Sequence, residues 1–310
     1  MKIIFMGSSS FSIPALEALI NSHHDIIGAV TKPPKPSGRG LIKKPTRVHE
    51  TAIKHDIDTM TPSNLSDEPF KKWLQSRIPD AIVVSAYGKL IPPYILTLPR
   101  YGCINIHPSL LPKYRGAAPI QRCLLKGDTK TAVTVMKLDE GMDTGPIIMQ
   151  QTEMIDILDN AISLEDRLSR IGADLLLKSL SLLEQQAVTP IPQNNDLAVL
   201  APKISKEEGE LDFNKSAVEN HNTVRALISW PTAWTYYKGN PLQILSTEPL
   251  DEAPKQVPGT IIESNKNGIH TATGKGILLI KYVKPNSGKP MSAFDFAIGR
   301  GLKSGDMFKK

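Results

Sequence analysis

Two polar residues at the end of an apolar run, and one acidic residue further along, are the side chains best suited to chemistry. Asn105 and His107 close the run, and Asp143 lies in the turn sequence Gly-Met-Asp-Thr-Gly. Side chains of a strand alternate between its two faces, so Asn105 and His107 point to the same side. A carboxylate beside an imidazole favours the imidazolium and fixes its orientation. Together with an amide donor, this set could stabilise the oxyanion that forms when an amine attacks a carbonyl carbon.

Such a reaction needs no covalent nucleophile, and the sequence offers none in a recognisable setting. Ser109 lacks the flanking glycines of a nucleophile elbow. Cys103 and Cys123, the only two cysteines, lack a nearby base, and their spacing fits neither a metal site nor a disulfide scaffold. We therefore expect two buried thiols and no bound metal. On the residues alone, a structural role for His107 and a turn-forming role for Asp143 are equally open interpretations.

The elements that must position these residues alternate between short apolar runs and helix-like segments, up to about residue 186. We predict strands at 2–6, 25–30, 81–85, 103–106 and 132–138, and helices at 14–20, 117–125 and from 163 onward. This alternation indicates a mostly parallel sheet covered by helices. Ligands of such sheets bind at the carboxyl ends of the strands, where the strand order reverses. A capping box from Ser163 to Asp166 predicts the start of the last helix.

The composition changes after that helix. Residues 188–206 contain three prolines and no hydrophobic periodicity, which is typical of an extended linker. Beyond it we predict a helix at 217–227 and strands at 233–237, 242–246, 259–263, 269–273 and 276–282. Short strands separated by tight glycine turns predict a small antiparallel barrel. The sequence thus predicts two domains, residues 1–187 and 207–310, joined by the linker 188–206.

Overall composition is that of a globular protein. Of the 310 residues, 40% are hydrophobic and 22% are charged, which is enough for two packed cores. No segment is apolar over the length that a bilayer requires, and residues 1–7 are typical of a buried strand rather than a signal peptide. We expect a cytoplasmic monomer with no membrane partner. The net charge of +6 permits a polyanionic partner without requiring one.

The candidate residues belong to a long sequence pattern. Asn-x-His-x-Ser-Leu-Leu-Pro at 105–112, with Gly-x-Asp-Thr-Gly at 141–145, resembles the active-site signature of the folate-dependent formyltransferases. Those enzymes carry a formyl group from 10-formyltetrahydrofolate to an amine. The resemblance implies that Asn105, His107 and Asp143 are catalytic.

Further segments resemble one branch of that family, in which the acceptor is the α-amino group of methionine on initiator tRNA. They are Arg-Gly-Ala-Ala-Pro-Ile-Gln at 115–121, Ser-Lys-Glu-Glu at 205–208 and Ala-Thr-Gly-x-Gly-Ile-Leu at 272–278. The resemblance covers nearly the whole chain. It implies a Rossmann-like formyltransferase domain of the α/β class, followed by an OB-like β-barrel domain. It also implies a folate site lined by Ser109, Leu110, Leu111 and Pro112.

The segment 31–48 carries six basic residues and no acidic one, interrupted by prolines and glycines. Long loops in compact domains are usually functional or disordered, and positive charge suits contacts with phosphate. A merely solvated charge run is the alternative. The resemblance makes this segment the tRNA-acceptor loop. It implies tRNA contacts by Arg39, Gly38, Gly40, Lys43 and Lys44. The predicted barrel is also basic towards its end, and OB-like barrels commonly bind nucleic acid.

Two positions depart from the pattern of that branch. Gly-Ser-Ser-Ser-Phe at 7–11 stands where the family has Gly-Thr-Pro-acidic-Phe, so contacts assigned to the proline or the acidic residue do not carry over. Pro108 is more typical of glycinamide ribonucleotide formyltransferase. Formyl transfer to a small amine, such as that nucleotide or an aminosugar nucleotide, therefore stays open, although it leaves the basic loop and second domain unused. A catalytically silent RNA-binding protein is a third interpretation, and it leaves the three polar residues unexplained.

Overall fold

The structure is a computed structural model that describes residues 1–37 and 42–309. The chain forms two compact units, each with its own core. The first comprises residues 1–119, 130–154 and 165–201, and the second comprises 120–129, 155–164 and 202–310. Two short excursions of the chain thus belong to the second unit, which the sequence did not indicate. The domain limits 1–187 and 207–310 stay a prediction.

Up to residue 201 the chain alternates strands and helices. In order, it forms β1 (Lys2–Gly7), α1 (Ile13–Ile20), β2 (Asp25–Val30), β3 (Lys35–Ser37), β4 (Ile42–Lys44), α2 (Arg47–Lys54), β5 (Thr59–Met60), α3 (Glu68–Gln75), β6 (Ala81–Ser85), α4 (Pro93–Leu96), β7 (Cys103–His107), β8 (Arg115–Gly116), α5 (Pro119–Lys126), β9 (Lys130–Lys137), β10 (Ile147–Met154), α6 (Ala161–Glu184) and β11 (Leu200–Ala201). The five strands predicted from the sequence are all present.

A seven-stranded sheet, in the order β10-β9-β7-β6-β1-β2-β5, organises the first unit. Strands β5, β2, β1, β6 and β7 run parallel, whereas β9 is antiparallel to β7 and β10 to β9. The predicted mostly parallel sheet is confirmed. The strand order reverses between β1 and β6, because β2 and β5 extend to one side of β1 while β6 and β7 lie on the other. The carboxyl end of β6 therefore borders the reversal, and β7 is the next strand.

Continuous apolar runs explain why the central strands lie inside the unit. Every residue of β6 and β7 is buried, as expected for parallel strands covered on both faces by helices. On one face, Ile4, Val30, Ile82 and Val84 pack with Leu74 of α3 in one hydrophobic cluster. The strands that carry the candidate residues are therefore held by a rigid core.

Helix α6 begins two residues earlier than the sequence predicted. The Asn160 side-chain oxygen accepts hydrogen bonds from the backbone N–H groups of Ile162 (2.9 Å) and Ser163 (3.1 Å). Ser163 Oγ in turn accepts from the Asn160 N–H (3.1 Å). Asn160 is therefore the N-cap, and Ser163 occupies the third helical position, so the predicted box from Ser163 to Asp166 is wrong. Neither α6 nor any other described helix combines the length and apolar character needed to cross a bilayer.

The part of the second unit that follows residue 201 contains the predicted antiparallel strands and two α-helices. After residue 201 the chain forms α7 (Ala217–Ala226), β12 (Ala233–Tyr237), β13 (Asn240–Leu250), β14 (Ile261–Asn265), β15 (Gly268–Ala272), β16 (Ile277–Pro285), β17 (Met291–Ser292) and α8 (Ala293–Arg300). The sheet order is β12-β13-β16-β15-β14, with β17 on β16. Met307 and Phe308 bridge Thr260 and Tyr237 respectively, and so link the two edges of this sheet. This closure gives the antiparallel sheet the barrel form expected from the sequence.

Candidate active site

Asn105, His107 and Asp143 come together at the end of β7. Asn105 and His107 lie two residues apart on that strand and are 8% and 4% exposed. Asp143 belongs to the loop between β9 and β10, and its Oδ2 lies 3.6 Å from His107 Nδ1. The predicted meeting of an imidazole and a carboxylate 36 residues apart in sequence is therefore present in the structure.

The His107 ring is oriented by the backbone of a following residue. Its Nε2 lies 2.9 Å from the carbonyl oxygen of Tyr114. A carbonyl oxygen only accepts hydrogen bonds, so Nε2 carries the hydrogen and Nδ1 faces Asp143. Tyr114 has a φ of +64°, a conformation that is uncommon for a bulky residue. The turn at Tyr114 thus directs a carbonyl group at the imidazole.

Asp143 is held by an amide of the Arg115–Gly116 strand. Its Oδ2 accepts a hydrogen bond from the Gly116 N–H at 2.8 Å. Gly116 has a φ of +128°, and a Cβ there would lie 2.7 Å from the carbonyl oxygen of Ala201. Only glycine fits such a close approach. Asp143 itself has a φ of +54°, which aspartate tolerates better than most residues.

The Asn105 side chain has no hydrogen-bond partner in the part of the chain that the structure describes. Within residues 1–37 and 42–309, its amide makes no hydrogen bond to another protein group, although the side chain is largely buried. Burying an amide without a partner is unfavourable. Its NH2 and carbonyl are therefore available to a bound molecule.

Hydrogen bonds fasten the loop 109–112 to strands β9 and β10. Ser109 is fully buried, and its hydroxyl donates to the Lys113 carbonyl at 2.7 Å. Thr134 Oγ1 donates to the Ser109 carbonyl (2.7 Å), and Gln150 Nε2 donates to the Leu111 carbonyl (2.9 Å). The carbonyl groups of Ser109 and Leu111 are therefore bound within the protein and are not free for a ligand. The side chains of Leu110 and Pro112 are only partly buried.

The sequence matches known proteins over nearly its full length. Residues 1–180 match the family described as Formyl transferase, and residues 203–301 match the one described as Formyl transferase, C-terminal domain. A methionyl-tRNA formyltransferase from Alkaliphilus oremlandii is 41% identical over 307 residues, which cover 99% of each chain. The chain belongs to the methionyl-tRNA formyltransferase family. Another member, from Hydrogenovibrio crunogenus, is 41% identical over 302 residues, or 97% of each chain.

Solved structures share the fold at lower identity. The sugar 3N-formyl transferase WlaRD, crystallised with dTDP and 5-N-formyl-THF, gives a TM-score of 0.68 at 19% identity, over 93% of this chain and 99% of its own. Glycinamide ribonucleotide transformylase 1 from Symbiobacterium toebii gives 0.51 at 20% identity, over 62% of this chain and 94% of its own. The predicted Rossmann-like formyltransferase domain and OB-like second domain are confirmed.

The basic segment of this formyltransferase family member is only partly described. Arg39, Gly38 and Gly40 lie outside the described residues. Lys43 and Lys44 belong to β4, which pairs antiparallel with β3, so part of the predicted loop is a short hairpin. The Lys44 side chain is exposed. These tRNA contacts stay predictions.

Several residues that hold the site were not singled out from the sequence. Gln193 lies in the predicted linker, yet its side chain bonds the Asp143 loop and Arg115. Thr134 and Gln150 hold the loop 109–112. Pairing of β9 with β7 could have suggested Thr134, which lies opposite His107. Nothing local to Gln193 indicates its role, because its partners are about 50 residues or more away in sequence.

The predicted buried thiols are also found. Cys103 and Cys123 are free and buried. Burial raises the pKa of the Cys103 thiol to about 12, so it is protonated near neutral pH. Among the described residues, one group has the donors and spacing for a metal ion, namely His23, His24 and Glu184. This group lies at the amino ends of β1 and β2, whereas His107 lies at the carboxyl end of β7.

Proposed function

We propose that this formyltransferase moves a formyl group from 10-formyltetrahydrofolate to the α-amino group of methionyl initiator tRNA, for translation initiation. The observation that carries the proposal is the meeting of Asn105, His107 and Asp143, in a chain that matches methionyl-tRNA formyltransferases end to end. The full-length match supports the choice of acceptor, since it includes the second domain.

Asn105 supplies a hydrogen-bond donor at the reacting carbonyl. Its amide has no protein partner in the described part of the chain and is largely shielded from water. A donor held in such a place stabilises the negative charge that develops on a carbonyl oxygen under attack. Loss of one donor of this kind can cost about 3 kcal/mol of transition-state stabilisation. Asn105 is therefore the residue that we assign to the formyl oxygen.

His107 and Asp143 take up the proton that the attacking amine must lose. His107 Nε2 is committed to the Tyr114 carbonyl, so the basic Nδ1 faces Asp143 Oδ2 across 3.6 Å. Two acceptor atoms that face each other in this way attract one proton between them. The α-amine has a pKa of about 8, so a large fraction of it is neutral near physiological pH. The enzyme therefore contributes mainly by positioning and by charge stabilisation.

The donor molecule lies along the loop 109–112 in this proposal. When bound, 10-formyltetrahydrofolate supplies the formyl group, already activated as an acyl donor. The partly exposed side chains of Leu110 and Pro112 offer an apolar edge to a flat ring. Ser109 and Leu111, which are buried, keep the loop in place through Lys113, Thr134 and Gln150. The open amide of Asn105 at the end of the same strand fits a carbonyl-bearing donor at this place.

The tRNA is held by positive charge outside the catalytic cluster. Arg39, with Gly38, Gly40, Lys43 and Lys44, contacts the acceptor end in this proposal. The second domain adds further basic residues that are exposed where they are described: Lys266, Lys275, Lys281, Lys303 and Lys309. Phosphate contacts of this kind position a nucleic acid without reading its sequence.

One experiment tests donor and acceptor together. The protein is incubated with 10-formyltetrahydrofolate and, in separate reactions, methionyl initiator tRNA, methionyl elongator tRNA, glycinamide ribonucleotide and an aminosugar nucleotide. We expect formyl-methionyl-tRNA from the initiator alone. Faster formylation of a small amine would support the alternative acceptor class, and no product from any acceptor would favour the silent RNA-binding interpretation.

Variants of the protein test whether formyl-methionyl-tRNA is formed at the site that contains His107. His107→Ala is expected to lower kcat by about 10²- to 10⁴-fold, without loss of tRNA binding. His55→Ala, which alters an exposed histidine of the same unit, should match the unchanged protein. Equal activity of the two variants would rule out His107 as the catalytic base.

A further inference from the structure

The segment that follows α6 lies against the catalytic loops. Ile191 exchanges two backbone hydrogen bonds of 2.8 Å with Ile147, at the start of β10. Further along, β11 pairs in parallel with β8. The Arg115 N–H donates to the Val199 carbonyl at 2.9 Å. Gln193 lies between these two anchor points and is half-buried.

The side-chain amide of Gln193 uses all of its hydrogen-bonding capacity. Its NH2 group donates to the backbone carbonyls of Asp143 (2.9 Å) and Gly145 (2.7 Å). Its oxygen accepts from Nε (3.0 Å) and Nη2 (2.8 Å) of Arg115. Carbonyls require a donor and a guanidinium requires an acceptor, so these partners fix which way the amide faces.

Few other bonds define the backbone of the Asp143 loop. Asp139 accepts hydrogen bonds from the Gly141 N–H (3.0 Å) and from Thr144 Oγ1 (2.6 Å), which shapes the turn itself. Asp143 has a left-handed backbone, which an unsupported loop would leave readily. The two donations from Gln193 bracket that residue, because they bind its own carbonyl and the carbonyl two residues later.

Gln193 also closes a ring of contacts around the site. Tyr114, Arg115 and Gly116 are consecutive. The first orients His107 through its carbonyl, the second binds Gln193 through its buried guanidinium, and the third donates its N–H to Asp143. Gln193 therefore ties the chain that orients the imidazole to the loop that carries the carboxylate.

We propose that Gln193 is a positioning residue that sets the separation of Asp143 and His107. This inference rests on the proposed function, because it assigns the pair to proton transfer. Gln193 is too fully engaged to contact a substrate, so it acts through Asp143. Its loss should lower turnover while leaving the binding of both substrates nearly unchanged, because misplacement of a catalytic group by about 1 Å can cost a factor of about 10² in rate.

The test compares Gln193→Met with Gln185→Met in steady-state formylation of methionyl initiator tRNA. Methionine keeps the length of glutamine and removes all four hydrogen bonds. We expect kcat to fall by about 10- to 100-fold, with both KM values within about twofold. Gln185 is exposed, and its variant should retain full activity. An unchanged kcat for Gln193→Met would refute the positioning role.

Two further variants separate positioning from a loss of folding. Gln193→Glu keeps the oxygen that binds Arg115, so the fold should persist, but it cannot donate to the two carbonyls. It should lose kcat as Gln193→Met does, and full activity of this variant would refute the proposal. In an Asp143→Asn background, Gln193→Met should lower kcat little further, because residues that act through one another are not additive. Independent, additive losses would show a separate role.

The failure of this inference differs from failure of the proposed function. If the unchanged protein forms no formyl-methionyl-tRNA, the assigned reaction is wrong. If it does, and Gln193→Met and Gln193→Glu are as active as the unchanged protein, only the positioning role is wrong.

Discussion

Asn105 and His107 share one side of the sheet because strand side chains alternate, and this could be predicted from their spacing alone. The sequence also predicts that Asp143 can reach the site, because a glycine-flanked acidic residue in the loop after the next strand can fold back towards it. The orientation of the ring was not predictable. It depends on the Tyr114 carbonyl, whose direction follows from a left-handed turn that no local pattern indicates.

At the scale of single residues, Asn105→Ala tests the donor assigned to the formyl oxygen. We expect kcat to fall by about 10²- to 10³-fold, because one preorganised donor is lost. The melting temperature should stay the same or rise, since the amide has no partner to lose among residues 1–37 and 42–309. Single-turnover formylation and thermal unfolding measure the two effects.

The matched control is Asn194→Ala, which alters an exposed asparagine of the same unit. Its kcat should equal that of the unchanged protein. If Asn105→Ala lost stability and kept its turnover, the amide would have a structural role only.

Gln193 shows where prediction from sequence fails at this scale. The absence of periodicity in 188–206 predicts a linker, and that pattern gives no sign of the contacts that Gln193 makes with the Asp143 loop and with Arg115. The Gln193 amide binds backbone carbonyls that are distant in sequence. The fold determines such partners, and the neighbouring residues in the sequence do not indicate them.

At the scale of elements, Thr134 on β9 fastens the loop 109–112. It is fully buried, donates to the Ser109 carbonyl (2.7 Å) and accepts from Gln150 Nε2 (2.8 Å). Thr134→Val keeps the shape and removes the hydroxyl, which leaves buried partners unsatisfied at a cost of about 1–3 kcal/mol. We expect urea unfolding to show this loss and the KM for 10-formyltetrahydrofolate to rise more than the KM for tRNA.

Thr131→Val provides the control for that change. Thr131 lies on the same strand and is also buried, but within the described residues it bonds no group of the loop. Its variant should leave the KM for the formyl donor unchanged. A similar rise of this KM in both variants would show that the effect comes from β9 as a whole and not from the Thr134 hydroxyl.

Helix α7 carries a histidine whose titration affects stability. His221 is buried, with Nδ1 3.0 Å from Thr247 Oγ1 and Nε2 3.2 Å from the Ile157 carbonyl. Burial, and to a lesser degree the charge of Arg225, lowers the pKa of His221 from its ordinary value of 6.5. The unfolded chain therefore binds this proton more readily than the folded chain. Stability should fall as pH drops below about 6.5, by at most about 1.4 kcal/mol per pH unit.

His221→Leu isolates this contribution. The free energy of unfolding, measured in urea at pH 7.5 and 5.5, should depend less on pH in His221→Leu than in the unchanged protein. His55→Leu, at an exposed position, should keep the original dependence. An equal pH dependence in all three proteins would contradict the assignment to His221.

At the scale of the whole molecule, hydrophobic patterning predicted both folds, since it reports where each strand and helix buries its side chains. Patterning did not predict that residues 120–129 and 155–164 group with the second unit. Those contacts depend on buried polar groups such as Arg225, which donates to the Asp156 carbonyl at 3.0 Å. Such a pairing between distant segments leaves no periodic trace in the sequence.

Because the net charge is +6, the salt dependence of the reaction tests how the protein binds the tRNA acceptor. If basic residues hold tRNA phosphates, binding releases counterions, so log(kcat/KM) for methionyl initiator tRNA should fall linearly with log salt concentration. The KM for 10-formyltetrahydrofolate should change far less. Arg39→Ala should reduce the slope for tRNA by about 1, as expected for one lost phosphate contact.

Arg100→Ala removes the same charge from an exposed site and should leave the slope unchanged. Equal slopes for the two variants would mean that overall charge attracts the tRNA, without a specific contact at Arg39.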